Sequence, residues 1–189
     1  MYKENKIVPD KTTASLLCSA IISDTLLFRS PTATWIDQKA AEELAEIAEL
    51  DMEELAQNMF QAGSNFKNKT TEEIFYQDFK IFHTGDLDFG VSQVSALSRE
   101  ELDKVGESLK PFMKQVLGEK KLDMVYVMLT DILEEASKVI CEGHDAAKLL
   151  ADAFHVPDAE EVDGVYLAGV ISRKKQMIPT LMNAMAEKT

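Results

Sequence analysis

The chain has 189 residues, enough for one sizeable core or for one domain with part of a second. It is 46% hydrophobic and 28% charged, an ordinary globular composition, with a formal net charge of −13. That acid surplus repels nucleic acid and anionic membranes at long range, so neither is expected as a partner.

No apolar run approaches the ~20 residues of a membrane span, and the start, Met1 to Lys6, is too polar for a signal peptide. The two cysteines, Cys18 and Cys141, fall in no CxxC or Cys/His spacing. This argues against zinc and for buried, reduced thiols in a cytoplasmic protein.

Lys11 to Ile22 reads as a helix with Leu16, Leu17, Ala20 and Ile21 at helical spacing, stopping at Ser23-Asp24-Thr25. A loop containing Ser, Thr and Pro follows over 29–34. Asp37 is placed as the N-cap of a helix to Leu50 with Ala40, Leu44, Ile47 and Ala48 inside. Asp51 opens another, with Glu54 in a capping-box spacing and Gly63 at its close. Gly63 to Lys69 reads as a linker. Asp78–His83 and Asp88–Ala96 alternate about Thr84-Gly85-Asp86 and predict a hairpin. Ser98 and Glu101 cap an amphipathic helix to Leu117, and Met124–Leu129 is a buried strand. Ser137–Cys141 is a further strand, Asp145–Phe154 a helix, and Val165–Ile171 a strand. Ile178, Leu181, Met182 and Met185 then mark the inner face of a last helix.

The fold class is therefore α/β: a mixed β-sheet domain with covering helices over 63–189, preceded by a mostly helical part over 1–62. The helix at Lys11–Ile22 is apolar enough to need a partner sheet that the first part does not clearly supply. It either packs on its neighbours or belongs to a larger domain.

Ser172-Arg173-Lys174-Lys175-Gln176 places three cations between a buried strand and a helix, in a chain otherwise rich in acid. Such a junction offers backbone N–H groups, and Arg and Lys add a forked donor and a point charge, all suited to phosphate. A solvated loop is the commoner outcome for a basic trio. Asp24 could offer a hard cation an oxygen ligand, or simply cap a helix. Lys80 stands in the first hairpin strand on the face of Asp78 and Phe82, where most lysines are merely exposed. His83, His144 and His155 share no ligand spacing and read as structural or surface residues. The acid-rich stretches Glu42–Glu54 and Asp158–Asp163 lack a calcium-loop pattern and read as solvated surface.

Ser19-Ala20-Ile21-Ile22-Ser23-Asp24-Thr25-Leu26-Leu27-Phe28-Arg29-Ser30-Pro31-Thr32 resembles the last catalytic-domain motif of manganese-dependent (family II) inorganic pyrophosphatases, in the DHH phosphoesterase superfamily. Gly169-Val170-Ile171-Ser172-Arg173-Lys174-Lys175-Gln176 resembles the basic motif of their C-terminal domain, and Gln77-Asp78-Phe79-Lys80 lies between as in that family. The resemblance covers almost the whole chain. It implies a C-terminal portion of such an enzyme, with 1–62 a remnant of the catalytic DHH domain and 63–189 the substrate-binding domain. It also implies hydrolysis of pyrophosphate in a cleft between domains by a two-metal mechanism. Asp24 would ligate a dinuclear manganese centre, and Lys80, Arg173 and Lys174 would bind phosphoryl oxygens, with magnesium able to accompany the substrate. The Asp-His-His motif is absent, so the chain by itself is expected to be inactive, with the missing N-terminal half as its partner. Dimerisation is implied through that absent domain, not through this piece. Two other readings remain: a fragment of an exopolyphosphatase-type DHH hydrolase, and a non-catalytic phosphate- or polyphosphate-binding module.

Overall fold

The computed structural model describes Asn5 and residues 7–64, 66–156 and 164–187; the acidic stretch Asp158–Asp163 lies outside them. The chain divides into two compact units, Met1–Gly63 and Ser64–Thr189. No helix among the described residues is long and apolar enough to cross a membrane.

The first unit carries α1 (Lys11–Thr25), α2 (Trp35–Ala48) and α3 (Met52–Gly63). Asp10 caps α1, accepting from the Thr13 N–H at 2.8 Å. The helix runs three residues beyond Ile22 because the Thr25 hydroxyl donates to the Ile21 carbonyl at 2.7 Å and closes another turn. Asp24 thus lies in the last turn of α1, not past it. The buried face also differs from the one expected. Ala14, Cys18 and Ile22 are buried, Cys18 and Ile22 against Ala41, Ala45 and Ala56, while Leu16 stays 67% exposed. Small side chains let helices approach closely, and here that outweighs side-chain bulk. The N-cap of α2 is Thr34, not Asp37. Asp37 is the third helical residue of a capping box, its carboxylate accepting from the Thr34 N–H at 2.9 Å. Its inner face is Ala41, Ala45 and Ala48, so of the four expected residues only Ala48 is fully buried. Asp51 does cap α3, accepting from the N–H groups of Glu53 and Glu54.

The second unit holds one five-stranded sheet in the order β1-β2-β3-β4-β5. β1 (Lys80–Thr84) and β2 (Leu87–Ala96) form the expected hairpin. α5 (Arg99–Lys120) then carries the chain over to β3 (Met124–Asp131), parallel to β2. β4 (Ala136–Gly143) and β5 (Val165–Ala168) complete the sheet antiparallel. α4 (Thr71–Tyr76) was not foreseen; a Thr70–Glu73 capping box starts it and it buries Ile74 and Phe75. α6 (Ala146–Ala153) follows β4, and α7 (Ile178–Ala186) ends the unit. β5 stops at Ala168, short of the expected Ile171, because Gly169 turns the chain away at φ 72°.

Alternation along the strands separates two cores. Val94, Ala96, Val125, Val127, Leu129 and Ile140 pack beneath α4 and α5. Phe89, Val91, Met124, Tyr126, Met128 and Val139 pack beneath α6 and α7.

Candidate functional site

On the face covered by α6 and α7, the apolar stripes of three neighbouring strands give way to polar side chains at one end. Gln93 follows Phe89 and Val91 on β2, Thr130 follows Tyr126 and Met128 on β3, and Ser137 precedes Val139 on β4. Thr130 and Ser137 are fully buried and share a hydrogen bond of 2.9 Å; Gln93 donates to Thr130 Oγ1 at 3.0 Å. The row lies at the carboxyl ends of the parallel pair β2 and β3, where open α/β sheets bind ligands.

Residues 169–173 cross this row. The Gly169 N–H donates to Glu135 O at 2.9 Å, and Ser137 Oγ donates to Val170 O at 2.6 Å. Gln93 Nε2 donates to Ile171 O at 2.9 Å, while its Oε1 accepts from the Arg173 N–H at 3.3 Å. The segment then enters a π-helical turn, Arg173–Met177, that leads into α7. Such turns recur at functional sites.

The Arg173 side chain continues the crossing towards β1. Its Nη1 donates to the backbone oxygen of Asp78 and to Val91 O at 3.4 Å, and its Nη2 donates to Asp78 Oδ1 at 2.8 Å. Arg173 is only 8% exposed. These three bonds occupy three of the five N–H groups of a guanidinium, leaving two for another acceptor. Two residues after Asp78 stands Lys80, paired across the hairpin with Val91, whose carbonyl Arg173 contacts. Lys80 and Arg173 thus both neighbour Val91 of β2, and Lys174 adjoins Arg173 in the same unit. Both lysine side chains are exposed and have no hydrogen bond or ion pair among the described residues. Lys175 is exposed too, with its backbone N–H on Ser172 Oγ at 3.3 Å.

Asp24 belongs to the first unit, exposed at the end of α1. Leu26, Leu27 and Phe28 follow it at φ 50°, 51° and 65°, a left-handed run without glycine that L-residues adopt only at a cost. Asp24 suits a hard cation as one oxygen donor. The described residues contain no group of three or more His, Cys, Asp or Glu able to hold a metal, so a dinuclear centre does not fit on them alone. His83 contacts Asp88, and His144 lies 3.2 Å from Asp145 at the surface. Cys18 is buried and Cys141 partly so, and neither forms a disulfide among the described residues.

Sequence reasoning missed Gln93, Thr130, Ser137 and the pairing of Asp78 with Arg173. The first three had a signal: each is a polar residue in phase with an inward apolar stripe.

A family model described as the DHHA2 domain matches residues 57–184. Among curated proteins, the manganese-dependent inorganic pyrophosphatase of Bacillus subtilis is 44% identical over 187 residues, covering 99% of this chain and 60% of that protein. The cobalt-dependent inorganic pyrophosphatase of Clostridium perfringens is 41% identical over 180 residues, covering 95% of this chain and 32% of that protein. A crystal structure from Methanococcus jannaschii, assigned to the family II inorganic pyrophosphatases, superposes with a TM-score of 0.80 at 35% identity. That match covers 93% of this chain and 56% of the other. The chain thus spans about 60% of the length of the manganese-dependent relatives.

Proposed function

Because the chain belongs to the DHHA2 domain family, we propose that it serves the manganese-dependent hydrolysis of inorganic pyrophosphate to two phosphates, gripping the substrate through Lys80, Arg173 and Lys174. The observation that supports this reading is that Lys80 pairs with Val91 of β2 and Arg173 donates to the Val91 carbonyl, with Lys174 next in sequence, in a protein of net charge −13.

Pyrophosphate is a compact polyanion whose hydrolysis concentrates negative charge on the departing phosphate. Arg173, fixed by Asp78 and Val91, offers its two remaining N–H groups from a set direction. Lys80 and Lys174 are free to follow the oxygens as they separate, since an ammonium on a flexible stem needs no single geometry. Donors held ready where charge develops stabilise the transition state more than the ground state. Asp24 is proposed as one manganese ligand, in a centre completed by residues beyond this chain and supplying a water of lowered pKa. We place the protein in the cytoplasm.

The test compares the 189-residue chain alone with the same chain joined to the additional portion found in the Bacillus subtilis relative. Alone, it should bind pyrophosphate and release little phosphate; joined, it should release phosphate when manganese is supplied. A joined protein inert towards pyrophosphate refutes the proposal. Preferential cleavage of longer polyphosphates would favour the exopolyphosphatase reading.

A further inference from the structure

Building on that reading, we propose that Gln93, acting with Gln176, is a positioning residue that sets the backbone path of the basic segment and so aims Arg173 and Lys174. The argument starts from the width of the sheet. β4 and β2 are two strand spacings apart, about 9.6 Å. The segment and two side chains bridge that distance together: Ser137 reaches from β4 to Val170 O, and Gln93 reaches from β2 to Ile171 O and the Arg173 N–H. A segment stretched across a sheet cannot bond its own neighbours as a helix or hairpin does, yet its backbone groups must be satisfied.

Side chains satisfy most of them. Gln93 grips both sides of Ser172, donating to Ile171 O and accepting from the Arg173 N–H. Gln176 reaches back from the π-helical turn. Its Oε1 accepts from the N–H groups of Ile171 and Ser172, both at 3.0 Å, and its Nε2 donates to Gly169 O at 2.7 Å. With the Ser137 bond to Val170 O, six backbone groups of 169–173 are held by three side chains.

Gln93 is the member that ties the segment to the strand next to Lys80, across 78 and 80 residues of sequence. Only a side chain with a donor and an acceptor at its tip can make both bonds. Leucine offers neither, and an ionised glutamate keeps only the acceptor. Thr130 beside it accepts the second amide hydrogen and fixes which way the amide faces. Gln93 touches no substrate in this scheme; it acts through the main chain on either side of Ser172.

The test uses the 189-residue chain with Gln93→Leu and Gln93→Glu. Leu109→Ala, at a fully buried residue of α5 in the core on the opposite face of the sheet, serves as a control of reduced stability. Two readouts are taken: hydrogen exchange of the Arg173 amide by NMR, and affinity for inorganic pyrophosphate with manganese by calorimetry. Gln93→Leu should speed Arg173 amide exchange and weaken pyrophosphate binding about tenfold. Gln93→Glu should fall between it and the parent, while Leu109→Ala should lower the melting temperature without moving either readout. Parent-like exchange and affinity in Gln93→Leu overturn the inference. Should Gln93→Leu not fold, the same comparison is read on Gln93→Glu, and parent-like values there overturn it. Should the parent bind no pyrophosphate, the functional proposal falls, and Arg173 amide exchange alone decides the positioning role.

Discussion

A methyl group added at Gly90 tests how the corner beside Lys80 is packed. A Cβ there would lie 2.5 and 2.6 Å from Cε2 and Cζ of Phe79 and 3.1 Å from Cδ1 of Leu122. Carbon atoms settle about 3.5–4.0 Å apart, so the phenyl ring must retreat by roughly 1 Å. It has little room, with its centroid 4.8 Å from Phe75 and 5.5 Å from Tyr76. Overpacking of this kind costs about 1–3 kcal/mol, or roughly 4–10 °C of melting temperature for a unit of this size. Gly118→Ala is the counterpart. Near the end of α5, its added carbon would meet nothing within 4 Å. It should stabilise by about 0.5–1 kcal/mol, because alanine favours the helix and restricts the unfolded chain. Thermal and urea unfolding followed by circular dichroism would report one chemical change with two signs. Since Phe79 joins Asp78 to Lys80, Gly90→Ala should also weaken pyrophosphate binding, and Gly118→Ala should not. A Gly90→Ala protein that melts at or above the parent refutes the packing argument.

Lys80→Met and Lys174→Met should each leave unfolding within about 0.5 kcal/mol of the parent, since both side chains are exposed. Calorimetry should show pyrophosphate affinity lowered about tenfold or more by either. Asp78→Asn strips the counter-charge from a guanidinium whose side chain is 9% exposed, but the carboxylate it removes is 46% exposed and well screened. Urea unfolding should therefore show a loss of only about 1–2 kcal/mol, below that of a fully buried pair. The Glu73 carboxyl is held below its ordinary value of 4.5 by the Thr70 N–H and then by the Thr70 hydroxyl. A lowered folded pKa means stability that is present above 4.5 and lost as the pH falls through the folded value. Glu73→Gln should flatten that part of a melting-temperature profile; an unchanged acid slope would show that the capping box contributes nothing to it.

The family was legible in two stretches, Ser19–Thr32 and Gly169–Gln176; the 44% identity to the Bacillus subtilis pyrophosphatase over 187 residues bears the resemblance out, and the DHHA2 match covers the second stretch. The mixed sheet was legible as well, because its strands alternate or run apolar between clear turns. The face of α1 was not. Leu16 and Leu17 dominate any hydrophobic tally, whereas burial followed the small side chains Ala14 and Cys18 that admit a neighbouring helix. α4 escaped because six residues give too little periodicity to read. In the candidate site, Lys80, Arg173 and Lys174 could be named through the resemblance. That Arg173 would lie buried on Asp78 could not, since 95 residues separate them and no local pattern encodes such a bond. Gln93 was readable only as a polar interruption of an apolar stripe.

The sequential strand order has a kinetic consequence. Neighbours along the chain are neighbours in the sheet, so each strand finds its mate by closing a modest loop, and Thr130 meets Ser137 only seven residues away. Arg173 must instead close 95 residues to reach Asp78, about 2 kcal/mol more in loop entropy than that short contact. Folding of this unit should therefore finish at the cationic corner: the β-sheet zips up first, and the arginine docks onto it last.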